Sequence, residues 1–162
     1  MICRLTLSII LIFSGLPVFA EPCIARAPTS TAEWLYRHNA DLLPPKESVR
    51  AALSKELFEL LKKERECVER TQEVCAIDAD LWTNTQDGGI WGAVHFEQTD
   101  FSPTSATVVM KYKFAIYEDG RDARDWVTTV FLTRVDPKAC WVVGDIVGPD
   151  GLSLKKALRA NE

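Results

Sequence analysis

The stretch Ala106-Thr107-Val108-Val109-Met110-Lys111-Tyr112-Lys113-Phe114-Ala115-Ile116 decides the fold. Ala106, Val108, Met110, Tyr112, Phe114 and Ile116 alternate with Thr107, Val109, Lys111, Lys113 and Ala115, so one side chain in two faces a core. Lys111 and Lys113 fall on the other phase, which marks that face as the solvated one. Downstream, Asp119-Gly120 supplies turn chemistry, and Trp126 to Arg134 is a second run rich in Val, Thr, Phe and Trp. Asp136-Pro137 makes the next turn. A third strand then runs from Ala139 to Val147, with Cys140, Trp141, Val142, Val143 and Ile146. Upstream, an earlier strand is expected from about Gly89 to Gln98, ahead of Ser102-Pro103. Four consecutive strands on short or moderate connections favour an antiparallel sheet. Gly148-Pro149-Asp150-Gly151 breaks the pattern, and Leu152 to Ala160 forms a short closing helix or turn.

The front half is helical. Residues 21–29 carry Pro22 and Pro28 without periodicity and read as an arm. Ser30-Thr31-Ala32-Glu33 fits a capping box, so a first helix is expected from about Thr31 to Asp41, stopped by Pro44-Pro45. From Lys46 to about Glu69, Val49, Leu53, Leu57, Leu60 and Leu61 recur at helical spacing, with charged residues largely on the other side. Ser54 can cap a fresh start, so this is one long helix or two in series. Helices first and strands later give an α+β class: N-terminal helices packed on a curved antiparallel sheet of about four strands, as one domain over 30–162.

The first twenty residues carry a different message. Arg4 is a positive n-region, Leu5 to Leu16 is mostly apolar, and Pro17 precedes Val18-Phe19-Ala20. That is the pattern of a secretory signal peptide cut near Ala20, and the apolar run is too short to span a bilayer as a helix. A periplasmic or secreted chain is expected. Lipidation at Cys23 is disfavoured because Ala20-Glu21-Pro22 precede it. Cys3 would leave with the signal. Cys23, Cys67, Cys75 and Cys140 then remain for an oxidising compartment, which points to two disulfides in one of three connectivities. Cys67–Cys75 with Cys23–Cys140 is the favoured set, because the first closes the shortest loop and the second ties the N-terminal arm to a C-terminal strand. No Cys-x2-Cys occurs, and His38 and His95 stand at no metal-like spacing from a cysteine, so no metal site is expected.

In the whole chain of 162 residues, 19 Lys and Arg stand against 23 Asp and Glu for a net charge of −4, without a polybasic run. A nucleic-acid partner is excluded on that balance. The order of elements, with Asp78-Ala79-Asp80-Leu81-Trp82, Gln86-Asp87, Trp141-Val142-Val143-Gly144-Asp145-Ile146 and Gly151-Leu152-Ser153-Leu154, resembles the nuclear transport factor 2-like (cystatin-like) cone fold. More narrowly, it is similar to the secreted bacterial family catalogued as domain of unknown function 3828. The resemblance covers about Ser30 to Leu158. It implies a bent sheet wrapped by helices around a concave pocket, and no particular activity.

Several polar and aromatic residues are candidates for such a pocket. Asp78, Asp80, Asn84, Gln86 and Asp87 cluster between the helical half and the first strand. Their spacing departs from a calcium loop, and Asp and Asn there more simply satisfy their own backbone. Tyr36, Trp91, Tyr112 and Trp141 are aromatic candidates for lining a cavity, among several that fill the core. His95 and Asp145 are the weak catalytic candidates: Asp145 shares a strand face with Trp141 and Val143, and His95 shares one with Trp91 and Ala93. Brought together, they would form an acid–base pair. The plainer alternative has Asp145 bonding a helix cap or Ser153 and His95 facing solvent. No serine nucleophile elbow, phosphate loop or zinc-protease motif is present, and no cofactor is expected. Three function classes follow: an exported module binding a small molecule or a protein, a small acid–base enzyme, and a structural homodimer joined through the outer sheet face.

Overall fold

The structure is a computed structural model that describes residues 23–160. The expected signal segment 1–20, with Cys3, lies outside the described residues. Ala106, Val108, Met110, Tyr112 and Phe114 are all buried, while Lys111 and Lys113 are exposed, as their alternation requires. They lie on β2 (Ser105–Ala115), which pairs antiparallel with β1 (Gly89–Phe101) and with β3 (Arg124–Thr133). β4 (Val142–Val147) pairs with β3, so the sheet runs β1-β2-β3-β4 in chain order, curled but not closed. Ile116 departs from its expected place. β2 ends one residue earlier, Ala115 is buried, and Ile116 is 58% exposed.

Among the described residues four α-helices accompany the sheet: α1 (Pro28–Arg37), α2 (Glu47–Arg50), α3 (Lys55–Thr71) and α4 (Leu154–Arg159). Ala32 and Leu35 of α1, Val49 of α2, and Leu57, Phe58, Leu60 and Leu61 of α3 form one core with the inward residues of the strands. Each of these Val, Leu and Phe side chains contributes about 1.5–3 kcal/mol by leaving water. α1 lies over β1 and β2, while α3 packs on β4 and α4. The amphipathic stretch is two helices in series. The Ser54 hydroxyl starts the second by accepting the Leu57 N–H at 3.2 Å. The front of α1 differs from its expected start: Pro28 opens the helix in the place where an unpaired N–H costs nothing. Thr31 is therefore interior, and its hydroxyl donates back to the Ala27 carbonyl at 3.2 Å instead of capping. The helix also ends early, with a 3-10 turn over Asn39–Asp41.

The two sheet edges are unlike. Along β4, Val143 donates its N–H to Ala52 O and its carbonyl accepts the Ser54 N–H, both at 2.8 Å, so the α2–α3 link blocks that edge. β4 is shorter than expected, because Cys140 and Trp141 precede it. Both expected disulfides form, Cys23–Cys140 with Cα atoms 5.2 Å apart and Cys67–Cys75 with 6.3 Å. Among the described residues no helix is long and apolar enough to cross a membrane.

Candidate functional site

Between α3 and β1 the chain runs through seventeen residues without regular structure, 72–88, and its shape is set by acidic side chains. Glu64, buried on α3, accepts the Ala76 N–H at 2.9 and 3.0 Å and the Ile77 N–H at 3.0 Å, which fastens this segment to the helix. Asp80 Oδ1 accepts the Trp82 N–H at 2.9 Å, the Thr83 N–H at 2.8 Å and the Thr83 hydroxyl at 3.0 Å. The Asp80 carbonyl accepts the Asn84 N–H at 2.8 Å, and Asn84 stands in the left-handed region at φ 52°. Gln86 Nε2 donates to Asp78 Oδ2 at 2.8 Å. Gly88 closes the segment at φ +82°, where a Cβ would meet Ala115 O and Phe114 Cζ at 2.6 Å, so only glycine fits.

This folding plants Trp82 in the core with 1% exposure. Its carbonyl accepts the Tyr112 hydroxyl at 3.0 Å and the Thr128 hydroxyl at 2.5 Å, while the Tyr36 ring meets its indole edge-on at 5.3 Å. Between this loop, the end of α1 and the start of β1 lies an open cleft of about 800 Å³. Tyr36, Asn39, Leu43, Ile77, Asp78, Asp80, Thr83, Thr85, Gln86 and Ile90 are among the residues that line it, and none of the lining residues is basic. The bonds above occupy one oxygen of each carboxylate, and Asp78 Oδ1 and Asp80 Oδ2 have no hydrogen-bond partner among the described residues. Burial, and then the charge of Asp80, push the Tyr36 phenol above its ordinary 10.0. The cleft therefore has an apolar side at Leu43, Ile77 and Ile90 and a negative polar side.

Of the sequence candidates, Tyr36, Asp78, Asp80 and Gln86 come together in this cleft. The others stand elsewhere. Asp87 borders a neighbouring hollow with Asp122 and Arg124. Trp91 lies on the outer face of the sheet, where Gly120 leaves room for its ring. Tyr112 is a core residue whose hydroxyl is spent on Trp82 O and Thr128, and burial raises its phenol above 10.0. Trp141 is buried under Arg134, whose guanidinium sits 4.2 Å from the ring centroid. Asn39, Leu43, Ile77, Thr83, Thr85 and Ile90 were not singled out by sequence; Thr83 and Thr85 alone carried a signal, as hydroxyls beside a turn-forming Asp.

The Asp145–His95 pair is not formed. His95 is on β1 and Asp145 on β4, at opposite edges of the sheet, and His95 is exposed opposite Lys111. A bulge at Gly144 sets Val143 against Leu132 but Asp145 against Phe131, so Asp145 leaves the face it shares with Val143 in an unbroken strand. It works as a clamp: Oδ1 accepts the Ile146 and Lys155 N–H groups at 2.9 and 3.0 Å, and Oδ2 accepts the Ser153 hydroxyl at 2.7 Å. Ser153 in turn caps α4. Among the described residues no group of three or more His, Cys, Asp and Glu side chains is placed to hold a metal ion. No protein-family model, curated protein or solved structure matches this chain.

Proposed function

We propose that this protein is an exported binding module whose cleft takes a small organic molecule bearing an ammonium or similar cationic group. The observation that carries this is the pair of carboxylates, Asp78 and Asp80, which line a cleft of about 800 Å³ that no basic residue lines and which each keep one oxygen without a hydrogen-bond partner among the described residues. A cation entering there gains charge-assisted hydrogen bonds, its apolar portion meets Leu43, Ile77 and Ile90, and the Tyr36 ring offers a π face. Volume in this range suits a drug-sized ligand. Export is supported by the N-terminal Arg4–Ala20 pattern and by the two disulfides.

The test is calorimetric titration with three matched probes: an amino sugar, its neutral parent sugar and the corresponding sugar acid. The amino sugar should bind, the acid should not, and Asp78→Asn should weaken the amino sugar about tenfold by removing one charge-assisted bond. Equal binding of all three, or preference for the acid, refutes the cationic ligand. Asp80→Asn is the poorer probe because Asp80 also holds the turn. Export is read separately, from the N-terminal residue of the purified protein by mass spectrometry: a chain that still begins at Met1 sinks it.

A further inference from the structure

Two rows of side chains cross the exposed face of β1, β2 and β3. Trp91, Lys113 and Asp125 stand opposite one another in the first row, and His95, Lys111 and Val127 in the second. On β2 the rows lie two residues apart but on β1 four, because the ladder slips between Trp91 and His95, with Gly92 at φ +82°. A Cβ at Gly92 would meet nothing within 4 Å, and the slip leaves a hollow of about 430 Å³ that all six side chains line. Gly120 holds Trp91 at its border: a Cβ there would stand 2.3 Å from the indole, so the ring rests directly on the turn before β3.

Charge sets this hollow apart from the cleft. Three nitrogen bases, His95, Lys111 and Lys113, line it against one carboxylate, Asp125, although the chain as a whole carries −4. Both lysines are lightly held. Lys111 meets Glu97 at 2.5 Å and Lys113 meets Asp125 at 3.7 Å, and all four side chains are more than half exposed. Ion pairs in water are weak, so each ammonium exchanges its partner for a ligand carboxylate at little cost. We infer that the hollow binds a small planar aromatic carboxylate, its ring stacked on Trp91 and its carboxylate between Lys111 and Lys113. Two residues apart on one strand, the two stems rise about 7 Å from each other, within the span of one carboxylate that gives an oxygen to each ammonium. Ala93 and Val127 supply apolar surroundings for the ring, and the volume suits a small-molecule site. A sugar acid is a poor fit, because its hydroxyls would lie unpaired against Trp91, Ala93 and Val127. The site is therefore independent of the cation-binding cleft and opposite to it in charge.

Calorimetric titration of the oxidised protein with naphthoate and with its neutral counterpart, naphthalenemethanol, tests this. Naphthoate should bind, and the alcohol should bind about tenfold more weakly for want of the charge-assisted bonds. Trp91→Ala should weaken naphthoate by about tenfold or more, and Lys111→Gln together with Lys113→Gln should bring it to the level of the alcohol. All three residues are exposed, so the substituted chains keep their core and an unchanged far-ultraviolet dichroism spectrum. Asp78→Asn, which alters the cleft, should leave naphthoate binding as it is. No binding of naphthoate, equal binding of the alcohol, or wild-type affinity in Trp91→Ala overturns the inference. A loss in Asp78→Asn overturns it as well, by placing the probe in the cleft.

Discussion

Replacing both Cys23 and Cys140 by Ser should cost the fold about twice as much as replacing Cys67 and Cys75. The two bridges close loops of very different length, with sequence separations of 117 and 8. A crosslink removes loop-closure freedom from the unfolded chain, which gives about 5 kcal/mol for the long loop and about 2.5 kcal/mol for the short one. Folded-state packing adds little, because Cys23 is exposed and Cys67, Cys75 and Cys140 are only half-buried. For a chain of this size each kcal/mol moves the melting midpoint by about 2–4 °C, so the losses are about 10–20 °C and about 5–10 °C. Urea unfolding of both double variants beside the wild-type protein, without reductant, measures the difference. The denaturant slope should also steepen for the Cys23/Cys140 variant, since its unfolded chain expands further. Equal losses, or a larger one for the short loop, would show that the stabilisation resides in folded-state contacts and refute the argument.

Glu64→Gln keeps one acceptor for the Ala76 and Ile77 N–H groups but removes the charge, and should cost about 2 kcal/mol in urea unfolding while weakening ligand binding in the cleft. Gly88→Ala forces a methyl against Ala115 O and Phe114 at a left-handed φ and should cost roughly 2–3 kcal/mol by the same measurement. Asp145→Asn should lower stability by about 1–2 kcal/mol through the α4 clamp, and His95→Ala should stay within about 0.5 kcal/mol; neither should alter amino-sugar titration. Tyr36 and Tyr112 hold their protons more tightly folded than unfolded. Their contribution is complete below the ordinary phenol value of 10.0 and is lost as pH rises through the higher folded values. Thermal midpoints should therefore fall above pH 10, with tyrosinate absorbance appearing late, and Tyr112→Phe should flatten that fall.

Periodicity made β2 legible residue by residue, because β3 pairs with it without a break from Ser105 to Phe114. Ser54 as a cap and the disulfide pairing were legible from local chemistry and loop length, whereas one long helix and two in series both fitted the apolar spacing, and the structure has two. Asp145 was misread because a single extra residue at Gly144 reverses the phase of a strand, and nothing in a Val-Val-Gly-Asp-Ile run announces it. Half of the cleft was hidden for a different reason. Tyr36, Leu43 and Ile90 come from α1, the turn after it and β1, and only the curl of the sheet brings them to the 72–88 loop. The loop's acids were visible as turn formers, and turn formation is indeed how Asp80 spends one of its two oxygens.

Cys23–Cys140 also decides what happens after the backbone is cut. The 72–88 segment is the longest irregular stretch between elements, and Gln86 and Asp87 in it, beyond the Cys67–Cys75 loop, are exposed, which makes that part the natural point of attack for a protease. A nick there separates the helical half from the strands in sequence, yet the halves stay covalently joined and share one core. The cleaved molecule should run as a single band on a gel without reductant and as two with it, so the bridge prolongs the working life of a chain that has already been severed.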